Sequence, residues 1–525
     1  MVTKAGYRNL GRSTTFPHGV GATDLKRGGR SDEVVEVRLV HSRGKVGVTA
    51  GEPVRALEGT SGVAKRERET AAIPEMENLL ETKLDLITKR AKREPGTRFT
   101  TLAHLLEERY LAACYGELKR KKAPGIDGVS VEEYGKGLEG KLKGLVSRMK
   151  AKQYRPQAVR RVNIPKGNGK LRPLGIPTVE DKVVQMGLTH ILEAIFEGDF
   201  LEVSHGFRPG RGCHDALRAF DKMAQARPVS YVIEVDIKGY YDNIDHEWLM
   251  KCLEQRIADP SFLSLIRRTL KAGVMEDGVR RETEEGAPQG GVVSPILSNI
   301  YLHYVLDLWF ERKLKKGLKG YAELIRYADD FVIGCRYRWE AEKILSELKE
   351  RLKKFGLEVS EEKTRIVEFG RFARENAAKR GVKAGTVEFL GFTHFSGKSR
   401  NGRFVVGRRT NGKRFRVKLV AMNKWLRSVS RLMPLADWWR MLRWKLMGHY
   451  QYYGVTGNWR RINQFHRKVE RMTFRWWNHR SQRKSGTWEE FQRRLHWNPL
   501  PPPRLTHIFW RPPVSNAKEP YMGKP

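Results

Sequence analysis

Long apolar runs are missing from this 525-residue chain. No stretch of about eighteen uninterrupted apolar residues occurs, and the best candidate, 292–310, carries Ser, Asn, His and Asp, so no bilayer-spanning helix is expected. The opening MVTKAGYRNLGRSTTF lacks the apolar core of a secretory signal. It contains arginine and is poor in acids, which leaves an organellar transit peptide as the alternative to a protein that stays where it is made. Cysteine is scarce too. Cys114, Cys213, Cys252 and Cys335 form no C-x-x-C pair, which excludes a zinc ribbon and argues against a disulfide framework. Acidic charge is the third shortage: 60 Asp and Glu stand against 100 Lys and Arg, leaving +40. So basic a chain attracts polyanions, nucleic-acid phosphates first, with an anionic membrane surface as the bland rival. A hydrophobic content of 40% excludes wholesale disorder. The length admits about three or four packed domains.

What is present changes along the chain. Residues 1–75 are rich in Gly, Ser, Thr and charge, with one short β-like run at 34–40, and read as a flexible extension. From Met76 the apolar spacing becomes helical, through Leu79, Leu80, Leu84 and Ile87 to Leu102, Leu106 and Tyr110. A turn at KKAPGIDG follows. Short β-branched runs then alternate with helical runs, as in VRRVNIP, YVIEVDI and IRYADDFVI, without strict βαβ rhythm, which predicts an α+β domain. Residues 401–525 hold 28 Lys and Arg against 5 Asp and Glu, with ten of the thirteen tryptophans. In WWRMLRWKLMGHYQYYG the spacing of Trp439, Leu442 and Leu446 predicts a buried helical stripe, while the surplus arginines lack acidic partners and suit phosphates.

Three aspartates stand in two strand contexts. Alternation in YVIEVDIKGYYDNIDH places Val232, Glu234 and Asp236 on the less apolar face of a strand. In LIRYADDFVI two apolar arms flank Ala328, Asp329 and Asp330, which predicts a hairpin with adjacent carboxylates at its tip. An Asp pair alone would be turn chemistry. Carboxylates gathered at neighbouring strand ends, however, repel one another and call for a cation. Magnesium suits such hard oxygens, and two ions about 4 Å apart serve nucleotidyl transfer. Elsewhere GAPQGGVVSPILSNIYL sets Gln289 in a glycine-rich loop before a helix, with Ser294 as N-cap and Pro295 at the first helical position. IPKGNGKLRPLGIP sets Lys166, Lys170 and Arg172 around a turn that could grip a triphosphate. It is not a Walker loop, and taken alone it would be a solvated hairpin. HEWLM lacks the second histidine of a zinc hydrolase motif and reads as a helix start.

Y-A-D-D between apolar strands, with D-I-x-x-Y-Y-D upstream, resembles the palm motifs of reverse transcriptases. KAPGIDGVS, SHGFRPGRGCHDAL, GLEVSEEKT, FLGF and GHYQYYGVTGN extend the likeness, so the chain from about Leu79 to Trp497 resembles the group II intron reverse transcriptase/maturase family. The resemblance implies a right-hand polymerase: helical N-terminal region and fingers at 76–230, palm at 231–395, helical thumb or maturase domain X at 396–500, and a tail at 501–525 without an endonuclease domain. It implies that Asp236, Asp329 and Asp330, with the Ile237 carbonyl, hold two magnesium ions. It further implies that Lys166 and Arg172 contact an incoming dNTP, that Gln289 lines the nucleotide pocket, and that Tyr241 excludes a ribose 2′-OH by clash. Asp242 and Asp245 are read instead as turn and capping residues. Group II intron RNA, target DNA and a primer are the implied partners, without a membrane, in a bacterial cytoplasmic ribonucleoprotein. The rivals are an RNA-binding splicing factor with a vestigial polymerase site, and a reverse transcriptase serving a defence or diversity-generating system.

Overall fold

Apolar alternation builds the sheets. The computed structural model describes residues 82–165, 171–276, 278–282, 285–287, 290–479 and 486–509, so the readings made at 1–75, Lys166, Lys170 and Gln289 lie outside the described residues. The strands are β1 (Val159–Pro165), β2 (Leu171–Ile176), β3 (Tyr231–Val235), β4 (Val274–Glu276), β5 (Val279–Arg281), β6 (Ala322–Tyr327), β7 (Asp330–Cys335), β8 (Arg365–Glu368), β9 (Thr386–Phe389), β10 (Phe392–Lys398) and β11 (Phe404–Thr410). They form three sheets, in the orders β2-β1-β4-β5, β6-β7-β3-β8 and β11-β10-β9. With the helices around them they make the mixed α+β architecture that the sequence implied.

The central sheet is antiparallel throughout, and β3 lies inside it, between β7 and β8. Both of its faces are covered. Ile233 and Val235 enter the largest core cluster, whereas Val232 joins a second one with Phe220, Val332 and Phe389. The face expected to be less apolar is therefore buried as well. Glu234 tolerates burial there because Arg365 Nε donates to it at 2.7 Å and the Glu388 amide at 2.6 Å.

The helix Ser294–Leu302 starts one residue earlier than the sequence suggested: Val293 occupies the N-cap, with no side-chain cap, and Ser294 is inside the helix. The backbone then runs as two π-helical segments, His303–Asp307 and Phe310–Leu314. Capping at Asp245 is as expected, its Oδ1 accepting the Trp248 amide at 2.7 Å to start the helix His246–Glu254.

The last helices, Gly412–Leu432, Leu435–Tyr453, Trp459–Asn478 and Trp488–Trp497, enclose a third core that contains Trp439, Leu442 and Leu446. The boundary drawn at 395/396 falls inside β10, because the sheet runs on to Thr410 before Asn411 caps the first of these helices. GHYQYYGVTGN supplies the corner beyond. Asn458 accepts the Thr410 amide at 2.8 Å and donates to the Tyr453 carbonyl at 2.9 Å. The first residues of the supposed tail are part of this packing: Val455 bridges His507, and Phe509 is buried in the second cluster beneath the Arg408 guanidinium. Among the described residues no helix is long and apolar enough to cross a membrane.

Candidate active site

Strand register brings the aspartates together. β3 and β7 pair from Tyr231 with Cys335 to Val235 with Phe331, so one further step sets Asp236 opposite Asp330. Opposed residues in an antiparallel pair lie roughly 4.5–5.5 Å apart at Cα and share a face. Asp329 arrives from the turn. Tyr327 pairs with Asp330, leaving Ala328 and Asp329 as a two-residue connection in which Ala328 takes a left-handed φ of 55°. A non-glycine residue at positive φ carries strain, which the surroundings must hold in place.

They do so through Arg326. This buried side chain donates from Nε to Asp307 Oδ1 at 2.8 Å and from NH2 to Asp307 Oδ2 at 2.5 Å. It also reaches Asn299 Oδ1 at 3.0 Å, Ser204 Oγ at 2.8 Å and the Ala328 carbonyl at 3.2 Å. The SHGF segment lies against the same turn. The His205 amide donates to the Arg326 carbonyl at 2.9 Å, and the Arg326 amide to Val203 at 2.8 Å. A Cβ at Gly206 would stand 2.5 Å from the Ala328 nitrogen, so only glycine permits this approach. The sequence reading missed Arg326, Asp307, Asn299 and Ser204. For Asn299 and Asp307 the signal available was a set of polar residues interrupting the apolar stretch 292–310.

The electrostatics are those of crowded carboxylates. Asp330 lines an open surface yet has protein on most sides, and desolvation, with Asp329 and Asp236 nearby, pushes its carboxyl up to about 6. Asp329 is also raised, by burial first and by Asp236, against the pull of Arg172 and Arg326. Asp236 accepts from Lys363 Nζ at 2.7 Å, an ammonium lying on one of the three carboxylates. Beyond β3 the chain is laced to 358–360: Lys238 N donates to the Glu358 carbonyl and Ser360 N to the Asp236 carbonyl, each at 2.8 Å. By strand alternation the peptide groups of Ile237 then face the β7 side. Among the described residues no three His, Cys, Asp or Glu side chains are preassembled as a metal cage. The donor set nevertheless suits a hard divalent cation: carboxylate oxygens, one already neutralised by an ammonium and two with raised pKa.

Tyr241 is buried, and its hydroxyl is pushed up to about 12 by burial and then by Asp329. Its carbonyl accepts the Ala287 amide at 2.8 Å, docking the glycine-rich loop beside it. Gly286, at φ 89°, lets that loop pass where a Cβ would stand 2.9 Å from the Asp242 carbonyl. Arg172 is the second residue of β2, opposite Ile164, and its charge is felt at both Asp329 and Tyr241. The charges of Asp236, Asp330, Tyr241 and Arg172 thus all meet at Asp329, with Ile237 next to Asp236 in the chain.

Known proteins resemble this chain. The family described as reverse transcriptase (RNA-dependent DNA polymerase) matches residues 164–394. Protein YkfC of Escherichia coli is 38% identical over 276 residues, covering 46% of this chain and 72% of its own length. The group II intron-encoded protein LtrA of Lactococcus lactis is 38% identical over 234 residues, 44% of this chain and 39% of LtrA. Nuclear intron maturase 1, mitochondrial, of Arabidopsis thaliana is 35% identical over 95 residues, covering 18% and 13%. The match therefore spans well under half of the last two relatives.

Proposed function

Because the chain belongs to the group II intron reverse transcriptase/maturase family, we propose that it copies RNA into DNA and binds its intron RNA to assist splicing and retrohoming. The observation that supports the reading is the β3–β7 register, which ends at Val235 and Phe331 and so leads on to Asp236 and Asp330, with Asp329 in the adjoining turn. Asp236, Asp329, Asp330 and the Ile237 carbonyl would hold two magnesium ions, which supply activation of a primer 3′-hydroxyl and charge neutralisation on the leaving pyrophosphate. The Lys363 ammonium, which neutralises Asp236, gives up that carboxylate when the site is loaded. Arg172 and Lys166 would contact the triphosphate of the incoming dNTP, and Gln289 would line the nucleotide pocket. The Tyr241 ring lies under the sugar. The basic helices after Gly412 take the RNA, and the chemistry of splicing belongs to that RNA.

Primer extension on an RNA template with an annealed DNA primer tests this directly. The purified protein should make cDNA with magnesium and none with EDTA. Intact RNA binding without any cDNA would replace the polymerase by a pure splicing factor. Tyr241→Ala should relax sugar selection, raising ribonucleotide incorporation relative to deoxyribonucleotide by roughly 10- to 100-fold, since a hole removes the clash. Unchanged selectivity in single-nucleotide incorporation would remove Tyr241 from this role. RNA affinity should fall steeply with salt, by about 10³-fold between roughly 50 and 200 mM if six or more phosphates are neutralised. A flat salt profile in filter binding would contradict the use of the +40 charge proposed here.

A further inference from the structure

At the end of the central sheet opposite the aspartates lies a pocket of about 400 Å³, lined from the start of β3, the residues after β7 and the segment after β8. It is about five residues along β3 from Asp236, hence roughly 17 Å away. Three large aromatic side chains stand exposed around it: Tyr337 at 36%, Trp339 at 50% and Phe372 at 57%. The Tyr337 and Trp339 rings are nearly parallel, 15° apart with centroids 6.3 Å apart, and so offer faces of one orientation. Packing explains none of this exposure, because Ala341, Ile344 and Leu348 of the adjoining helix Arg338–Lys353 already fill the core beneath.

The lining holds two arginines, Arg336 and Arg338, and one carboxylate, Glu368, which is itself paired with Arg380. Arg336 lies over the Tyr337 ring at 5.0 Å, and among the described residues Arg336, Arg371 and Arg374 make no ion pair with a carboxylate. Asn376, also lining the pocket, donates to Glu368 at 2.6 Å and is thereby held with its amide edge at the rim. Flat faces for bases beside unpaired guanidinium groups for the flanking phosphates are what a single strand of nucleic acid requires.

We propose that this pocket is a second RNA site, which stacks an unpaired nucleotide of the bound RNA on Trp339 and Phe372 while Arg336 holds its phosphate. The proposal rests on the RNA-binding reading given above and adds a place for RNA outside the polymerase cleft. Occupying the two sites together lets the protein hold a folded RNA while its cleft is engaged with template and primer.

The test uses the full chain with its cleft already filled by a primer–template duplex ending in a dideoxynucleotide. A fluorescein-labelled oligoadenylate RNA of about twelve nucleotides should bind this complex, and Trp339→Ala/Phe372→Ala should weaken that binding about tenfold or more. Trp339→Phe should restore it to within about threefold, since a stacking face is regained. Primer extension on a short DNA-primed RNA should be the same in all variants. Ultraviolet crosslinking of the oligoadenylate carrying one 4-thiouridine to the unmodified complex should mark peptides covering 336–339 or 369–376, a readout independent of how the variants fold. Unchanged oligoadenylate affinity in a folded double variant, crosslinks only elsewhere, or displacement of the RNA by a polyglutamate peptide of equal length at lower concentration would each overturn the proposal. Loss of cDNA synthesis in the unmodified protein with these oligoadenylate results intact would overturn the polymerase reading and leave this site standing.

Discussion

Primer extension by Asp330→Asn is expected to fall by at least about 10³-fold, with RNA affinity unchanged, because the substitution removes one charged ligand from the cation site while leaving its size and backbone alone. The same variant should gain stability when cations are stripped away. The Asp330 carboxyl is pushed up to about 6 by desolvation and by its carboxylate neighbours. In the unfolded chain it titrates near about 4. Between these values the folded state binds the extra proton, so the stability of the cation-free protein declines as pH rises through that window. The uncharged amide introduced by Asp330→Asn escapes this loss. Melting in EDTA at about pH 7 should therefore show the variant above the parent, and magnesium should raise the parent by more than the variant. Equal cDNA from the two proteins would end the assignment of Asp330. Equal response to magnesium would separate it from the cation.

The part of the site legible in the sequence was the part encoded locally. Alternation in YVIEVD and the two apolar arms around ADD place each carboxylate at a strand end or turn, and the period of two leaves little freedom in doing so. The stripe of Trp439, Leu442 and Leu446 was legible for the same reason. What holds the aspartates was not. Lys363 meets Asp236 from 127 residues further on, and Arg326 meets Ser204 across 122, separations at which spacing carries no signal. Asp307 was hidden by a different effect. It ends a π-helical segment, whose extra residue per turn shifts the face that a 3.6-residue period assigns. The boundary at 395/396 cuts β10, whose sheet ends at Thr410, where hydrogen bonding to Asn458 closes it; the change of composition near residue 400 does not mark that end. The second cluster, buried beneath Glu234, could not be read from β3 alone. Many of its other members come from the helix Cys213–Ala226 and from β9 to β11.

Arg326→Met should cost about 3–5 kcal/mol of stability, because it leaves the Asp307 carboxylate buried without its guanidinium partner. Both side chains are wholly buried, and the arginine uses its planar fork on Asp307 while also donating to Asn299, Ser204 and the Ala328 carbonyl. Arg326→Lys should recover little, since an ammonium cannot reproduce that geometry. The double change Arg326→Met/Asp307→Leu separates two roles. Removing both charges replaces an ion pair by apolar volume, which is often close to neutral, so much of the stability should return. Extension activity should not return. The Ala328 carbonyl still lacks a donor, and the left-handed turn that carries Asp329 loses the contact that offsets its strain. Chemical denaturation beside primer extension measures both quantities. A single variant as stable as the parent would show that the buried pair holds nothing together. A double variant with full activity would show that the turn keeps its shape without Arg326, and that the aspartates are positioned by strand pairing alone.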